Sequence, residues 1–302
     1  MFKSKNSMSR ALVRRETTAG YLFLLPSLFF FVTFVLYPMF LCIYTSFFDS
    51  NMGKNAVDVF VGLGNYKELF RDKLFLGALK NTVIIVVVAV PTVCAFSLWV
   101  ATAIYDMKPA VTSAFRCIFY LPVVTGSVAV TVVWKWMYNS RYGVFNYLFK
   151  SLGIIDQNIN WLGDARFALW CIILILFTTS VGQPIVLYVS ALGNVDHSLV
   201  EAAQVDGANR RQVFWKIKWA QIMPTTLYIL IITTINSFQC FALIQLLTSG
   251  GPTHSTDTIM YYIYYTAFKL YRYGYGNAMG VVLMIIIAVL SAVQFKLGQQ
   301  SD

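Results

Sequence analysis

The sequence predicts an all-α membrane protein with six transmembrane helices, on three observations. Apolar residues fill 58% of its 302 positions, against roughly 45–50% in globular proteins. Charged residues fall to 12%, about half the usual share. The apolar residues also collect into six uncharged runs, each near the ~20 residues a helix needs to cross ~30 Å of hydrocarbon. A soluble fold has no interior large enough for that much apolar surface. Irregular backbone cannot face lipid, and no period-2 alternation suggests a barrel.

The elements follow in order. Residues 1–19 form a polar, basic tail with Lys3, Lys5, Arg10, Arg14 and Arg15. The first span covers about 21–48. It is too long for the apolar core of a signal peptide and lacks a small-residue cleavage site, so it reads as uncleaved. Further spans are expected at about 82–104, 118–138 (uncharged from Ile118 to Trp134), 167–192, 222–247 and 278–297 (uncharged from Ala278 to Phe295). Pro91, Pro122, Pro184 and Pro224 fall in or beside these spans, where neighbouring helices can satisfy the freed backbone groups.

Six spans put both termini on one side. Basic residues near span ends divide twelve to eleven between the sides, but those on the termini side lie in shorter segments. Their density places both termini in the cytoplasm. The net charge of +10 is then an anchor against anionic lipid, and no basic, aromatic-interleaved face points to nucleic acid. The opposite segments, roughly 49–81, 135–166 and 248–277, are long and rich in Gly, Asn, Tyr and Trp. Short amphipathic helices are expected in them at Gly64–Phe70 and Val144–Leu152. Tyr120, Trp134, Trp136, Tyr138, Trp161 and Tyr261–Tyr265 read as an aromatic belt at the water–lipid boundary.

Catalysis finds little support. Cys42, Cys94, Cys117, Cys171 and Cys240 are widely spaced in or beside apolar runs and read as small core residues, with neither metal-ligand spacing nor a disulfide framework. His197 and His254 are the only histidines. No metal site and no catalytic residue is expected. GLGNYK at 62–67 has glycines and a lysine but not the spacing of a phosphate-binding loop, so any nucleotide chemistry belongs to another chain.

Polar side chains inside spans are costly and face a partner helix or a cavity. Thr179, Ser180 and Gln183 share one face of the fourth span. Thr233, Asn236, Ser237 and Cys240 share one face of the fifth, with Gln239 beside them. Amides and hydroxyls suit sugar hydroxyls, and Tyr188 offers a ring to stack on a sugar. The same groups also suit interhelical hydrogen bonds worth under ~2 kcal/mol each. Both readings stand at this point: a substrate pathway through Gln183, Tyr188, Asn236 and Gln239, or bundle-holding bonds.

One polar island remains, residues 193–220, which must lie outside the hydrocarbon. Within it Glu201–Ile217 reads EAAQVDGANRRQVFWKI. Leu199 to Ala203 suit a short helix, and Gly207 suits a left-handed residue ending it. Two short helices joined by a sharp bend would form a knuckle.

The Glu-Ala-Ala, three residues, Gly, nine residues, Ile spacing of this island resembles the signature loop of ABC-importer permeases of the sugar class, such as the maltose and glycerol-phosphate permeases. Nearly the whole chain joins in the resemblance: LFLLPSLFFFVTFVLYP at 22–38, FVGLGNYKELF at 60–70, YLPVVTGSVAVTVVWKWMYN at 120–139, GVFNYLF at 143–149 and FALIQLLTSGGP at 241–252. One departure is clear. Members usually continue the Ile with x-Leu-Pro, whereas Ile217 is followed by Lys218, Trp219 and Ala220, with proline only at Pro224. The entry into the fifth span is therefore expected to differ.

The resemblance implies a type I ABC-importer permease fold in the bacterial inner membrane. It implies that Glu201, Ala202, Ala203, Asp206, Gly207 and Ile217 couple the chain to an ATPase. Implied partners are a second permease, expected to be a different chain, two ATPase subunits that bind ATP and Mg, an extracytoplasmic solute-binding protein, a carbohydrate and the bilayer. A stand-alone secondary transporter or channel is the alternative, but such proteins usually carry ionisable residues in their spans, and the six runs have none.

Overall fold

The computed structural model describes residues 3–50 and 58–299. Met1, Phe2, residues 51–57 (including Lys54 of the first outer segment) and residues 300–302 lie outside them. Among the described residues, five helices are long and apolar enough to cross a membrane, and one sharply bent pair meets the same test when its members are joined. The six expected spans map onto these.

Most of the helices run beyond the apolar runs that predicted them. α1 (Lys3–Phe31) starts inside the basic tail, passes through a π-helical turn at Val32–Leu36 and continues as α2 (Tyr37–Thr45). No residue in its apolar window is buried. Its far end is tied to the last span, where Asn277 Nδ2 donates to Thr45 Oγ1 at 2.7 Å. α4 (Lys73–Tyr105) begins at Asp72, whose side chain accepts from Leu74 N at 2.8 Å as an N-cap. α15 (Tyr273–Gln299) forms the last span. Gln294 Nε2 at its inner end donates to Thr234 Oγ1 at 2.9 Å, a bond of the interhelical kind.

The third span departs from a single helix over 118–138. α5 (Pro109–Val124) and α6 (Ser127–Met137) meet at 96°. Pro122 lacks the N–H that would hold the last turn of α5. Thr125 and Gly126 then take extended angles, with ψ of 127° and 141°. α6 packs against α13 (Ala242–Leu247). The fourth span is α8 (Ala168–Ser180) and α9 (Gly182–Gly193), and the fifth is α12 (Trp219–Phe238) with α13 after a break at Gln239–Phe241.

α4, α9 and α12 form the central packing. Val93, Val100, Ile104, Ile185, Val189, Leu192, Ile222 and Ile229 meet there, each almost fully buried. The outer segments build a cap. α3 (Gly64–Leu69) and α7 (Val144–Ser151) lie where amphipathic helices are expected. A two-residue antiparallel pairing of Phe48–Asp49 with Val59–Phe60 and a helix α14 (Ile259–Tyr264), extended by a π-helical turn to Lys269, were not expected.

The aromatic-belt reading is corrected for several residues. Tyr138, Tyr261 and Tyr262 are 4%, 7% and 5% exposed. Tyr138 stacks on Phe145 with ring centroids 4.9 Å apart, and Trp161 donates to Asn146 Oδ1 at 3.0 Å. These rings are the interior of the cap; Trp136, at 54% exposed, keeps the boundary position.

Candidate functional site

The polar island folds as the sequence suggests and is capped at every end. Asp196 opens α10 (His197–Val205), accepting from Ser198 N at 2.8 Å. Side-chain and backbone bonds from Ser198 hold the Asp196 carboxyl below its usual range. Its backbone N–H donates to Gln221 Oε1 at 3.0 Å, tying the start of α10 to the fifth span.

α10 ends in a Schellman arrangement. Ala208 N donates to Ala203 O at 2.9 Å and Gly207 N to Gln204 O at 3.1 Å. This geometry needs a left-handed residue between them, and Gly207 has φ +82°. Two residues later Asn209 starts α11 (Arg210–Val213) with a complete capping box: its Oδ1 accepts from Gln212 N at 2.9 Å, and Gln212 Oε1 accepts from Asn209 N at 2.8 Å. Only Asp206, Gly207, Ala208 and the capping Asn209 separate the two helices, so the knuckle is a stiff bend, not a slack loop.

The second arm does not end before the membrane. α11 passes through a π-helical turn at Phe214–Lys218 straight into α12, giving one continuous element from Arg210 towards Leu247. Ala220 retains the N–H that a proline would lack, and the helix also passes through Pro224 without a break. The knuckle is therefore continuous with the fifth span.

Glu201, Ala202, Asp206 and Gly207 are exposed, while Ala203 and Ile217 are half-buried. Sequence reasoning missed Val205, 87% exposed on the rim of the bend. It stands one helical turn after Glu201, and an apolar residue inside an otherwise polar island was the available signal.

A second polar region forms between α5, the fourth span and α12. Thr179, Ser180 and Gln183 face Thr233 and Asn236 across a cavity of about 150 Å³. The two clusters picked out by helical face thus converge. Gln183 and Asn236 are exposed towards it. Gly182 sets the position of Gln183, because α5 crosses so closely that a Cβ at Gly182 would collide with Phe119 O.

Other members of the expected set lie elsewhere. Ser237 and Cys240 turn into the core, at 2% and 6% exposed, so the expected four-residue face divides. Gln239 is exposed at the C-cap of α12, off the cavity. Tyr188 is 0% exposed within the α4–α9–α12 core, so it cannot stack on a ligand in this conformation.

Comparison with known proteins fits this geometry. The chain is 33% identical to the lactose transport system permease protein LacF of Rhizobium radiobacter, over 94% of this chain and 95% of the relative. It is 32% identical to the multiple sugar-binding transport system permease protein MsmF of Streptococcus mutans, over 94% and 96%. A chain in the crystal structure of a bacterial alginate ABC transporter, in complex with an alginate pentasaccharide-bound periplasmic protein, superposes with a TM-score of 0.80 at 24% identity, covering 93% of each chain. That structure has the same fold, the type I permease bundle. Residues 61–299 match the family described as the binding-protein-dependent transport system inner membrane component. With its membrane helices, its capped knuckle and nearly full-length relatives at about a third identity, the chain belongs to that family of inner membrane transport components.

Proposed function

We propose that this chain is one half of the membrane pathway of an ATP-driven carbohydrate importer and that it is driven through the Glu201–Ile217 knuckle. The observation that carries the reading is the unbroken path from the Gly207 bend through the π-helical turn into the fifth span, which also carries Asn236 of the polar cavity. Movement of the knuckle then moves a wall of the cavity. Relatives named for lactose and multiple-sugar transport favour a carbohydrate as cargo. The hydroxyl and amide lining is the chemistry a carbohydrate needs.

In this reading two ATPase subunits bind ATP and Mg and close around the knuckles. Glu201 supplies a charged contact and Val205 an apolar one, with Ala202 and Ala203 permitting close approach. A charged hydrogen bond gains strength when the interface excludes water. The spans are a two-state element whose equilibrium the ATPases bias between inward-open and outward-open. A second permease, a different chain, completes the pathway, and an extracytoplasmic binding protein delivers cargo to the outer cap.

The test is co-purification with the cognate ATPase and ATP-driven uptake in proteoliposomes, comparing wild type with Glu201→Ala and Gly207→Pro. Capture and uptake by wild type, with loss of either in both variants, is the expected result. Uptake by the chain alone, indifferent to the ATPase, would make it a secondary transporter or channel.

A further inference from the structure

A cavity of about 560 Å³ lies between the knuckle and the adjoining ends of the spans, away from the polar cavity. Its walls are the end of α4, the end of α9, the inner face of α10 and the start of the α11–α12 element. Leu192, Val195, Val200 and Val213 give it an apolar floor. Its polar side chains are of a different kind from those of the cargo cavity.

Arg210 and Lys218 both line it, together with His197. The Lys218 ammonium is held over the Tyr105 ring, 5.1 Å from its centroid, so its direction is fixed before any ligand arrives. Among the described residues, neither Arg210 nor Lys218 has an ion-pair partner. Asp106 is the only acidic residue on the wall, and Thr102 and Gln204 add a hydroxyl and an amide. Two unpaired cations over an apolar floor form a site for an anion, and the arginine fork and lysine charge suit phosphate oxygens. The carboxylate, hydroxyl and amide beside them accept or donate to ligand hydroxyls.

We propose that this cavity binds the phosphate ester of a small polyol. The phosphate sits between Arg210 and Lys218, and Asp106 and Gln204 receive the polyol hydroxyls. The volume lies in the range of small-molecule sites. Neither Glu201 nor Val205 lines the cavity. An occupied cavity braces α10 and α11 against the end of α4 and stiffens the link from knuckle to spans.

Two sources offer this chemistry: the headgroup of an anionic lipid such as phosphatidylglycerol, and a free polyol phosphate from the cytoplasm. The full chain in phosphatidylcholine nanodiscs separates them. Glycerol 3-phosphate is titrated in one arm, and phosphatidylglycerol is mixed into the disc in the other. Thermal unfolding is read in both, and native mass spectrometry counts retained lipid in the second. Either arm should raise the unfolding midpoint of wild type, and the active arm names the source. Arg210→Gln and Lys218→Gln should each weaken that response roughly tenfold in ligand concentration, while Lys150→Gln on the outer helix α7 keeps it. If Arg210→Gln does not fold, Lys218→Gln alone decides. No response in either arm, or an undiminished response in Lys218→Gln, overturns the proposal.

Discussion

The Tyr262 hydroxyl donates to Asp72 Oδ2 at 2.7 Å across 190 residues of chain, and the Tyr275 hydroxyl donates to the same oxygen at 2.9 Å. Asp72 also caps α4, so one carboxylate joins the second span, α14 and the last span at the outer face. Burial alone would raise its pKa. The two tyrosine hydroxyls and the backbone N–H groups of Leu74 and Phe75 outweigh burial and hold it below the usual aspartate range. The sign follows: a carboxyl depressed on folding adds stability that is fully present above the unfolded value of ~3.9 and is lost as pH falls through the lower folded value. Tyr262→Phe should cost about 1.5 kcal/mol, the low end for bonds to a charged group, because Asp72 is only partly buried. Acid unfolding of wild type and variant, followed by tryptophan fluorescence, should converge at low pH. A constant gap down to pH 2 would contradict the assignment.

The nearby bidentate pair of Arg272 with Glu68, at 2.8 Å for both bonds, is a contrast. Both side chains are well exposed, at 37% and 48%, so the pair itself should contribute under ~1 kcal/mol. Glu68→Gln should therefore shift the unfolding midpoint less than Tyr262→Phe does, and added salt should shrink the small effect further. A larger effect for Glu68→Gln would mean that the pair is shielded from water by a partner at the outer cap.

Gly207 tests the stiffness of the knuckle. At φ +82° a side chain costs about 1 kcal/mol, although nothing lies near enough to collide with a Cβ there. Gly207→Ala should leave the bundle folded and lower ATP-driven uptake by loosening the bend. Asn209→Ala, which removes the capping box, should cost a similar ~1 kcal/mol locally. Hydrogen exchange of the Ala208 and Gln212 amides should speed up in both variants. Unchanged exchange would show that the caps do not set the rigidity of the bend.

The sequence records contact with lipid better than it records helix length. Uncharged runs found the spans because hydrocarbon excludes charge. They could not show that helices continue from Lys73, Pro109 or Arg210, where polar residues extend a helix into the headgroups at no cost. The bend at Thr125–Gly126 was hidden because a proline inside a span usually passes without a break. Asn209 and Gln212 could have been read as a capping box three residues apart, and Gly207 was legible because only a left-handed residue fits a helix end of that form. The grouping of Gln183 with Thr179 and Ser180, and of Asn236 with Thr233, followed from helical faces. The division of Asn236 from Ser237 and Cys240 did not, since a face some 100° wide is shared between cavity and core according to packing that only the fold supplies. Asp72 and its tyrosines, nearly two hundred residues apart, had no local signal.

Gly182 predicts a steric result. α9 begins where α5 crosses, and a Cβ at Gly182 would meet Phe119 O and the Val123 side chain. Backbone cannot give way there as a flexible side chain can. Gly182→Ala should cost 1–3 kcal/mol, the usual range for overpacking, and should displace the neighbouring Gln183. Thermal unfolding reads the first effect and uptake the second. A fully stable variant would mean that α5 moves freely relative to α9.

Gln183 and Asn236 decide between cargo contact and bundle-holding bonds. Both are exposed towards the cavity, unlike Thr234, which is 1% exposed and accepts from Gln294 across the bundle. A residue that holds the bundle loses stability when truncated, while one that meets cargo loses affinity. Gln183→Ala and Asn236→Ala should therefore raise the apparent KM of uptake roughly tenfold, equivalent to about 1.4 kcal/mol, with the unfolding midpoint unchanged. Thr234→Val should do the reverse, lowering the midpoint by an amount equivalent to about 0.6 kcal/mol and leaving KM alone. If Gln183→Ala and Asn236→Ala behave like Thr234→Val, the cavity is a packing defect between α9 and α12 and the cargo path lies along another face of the chain.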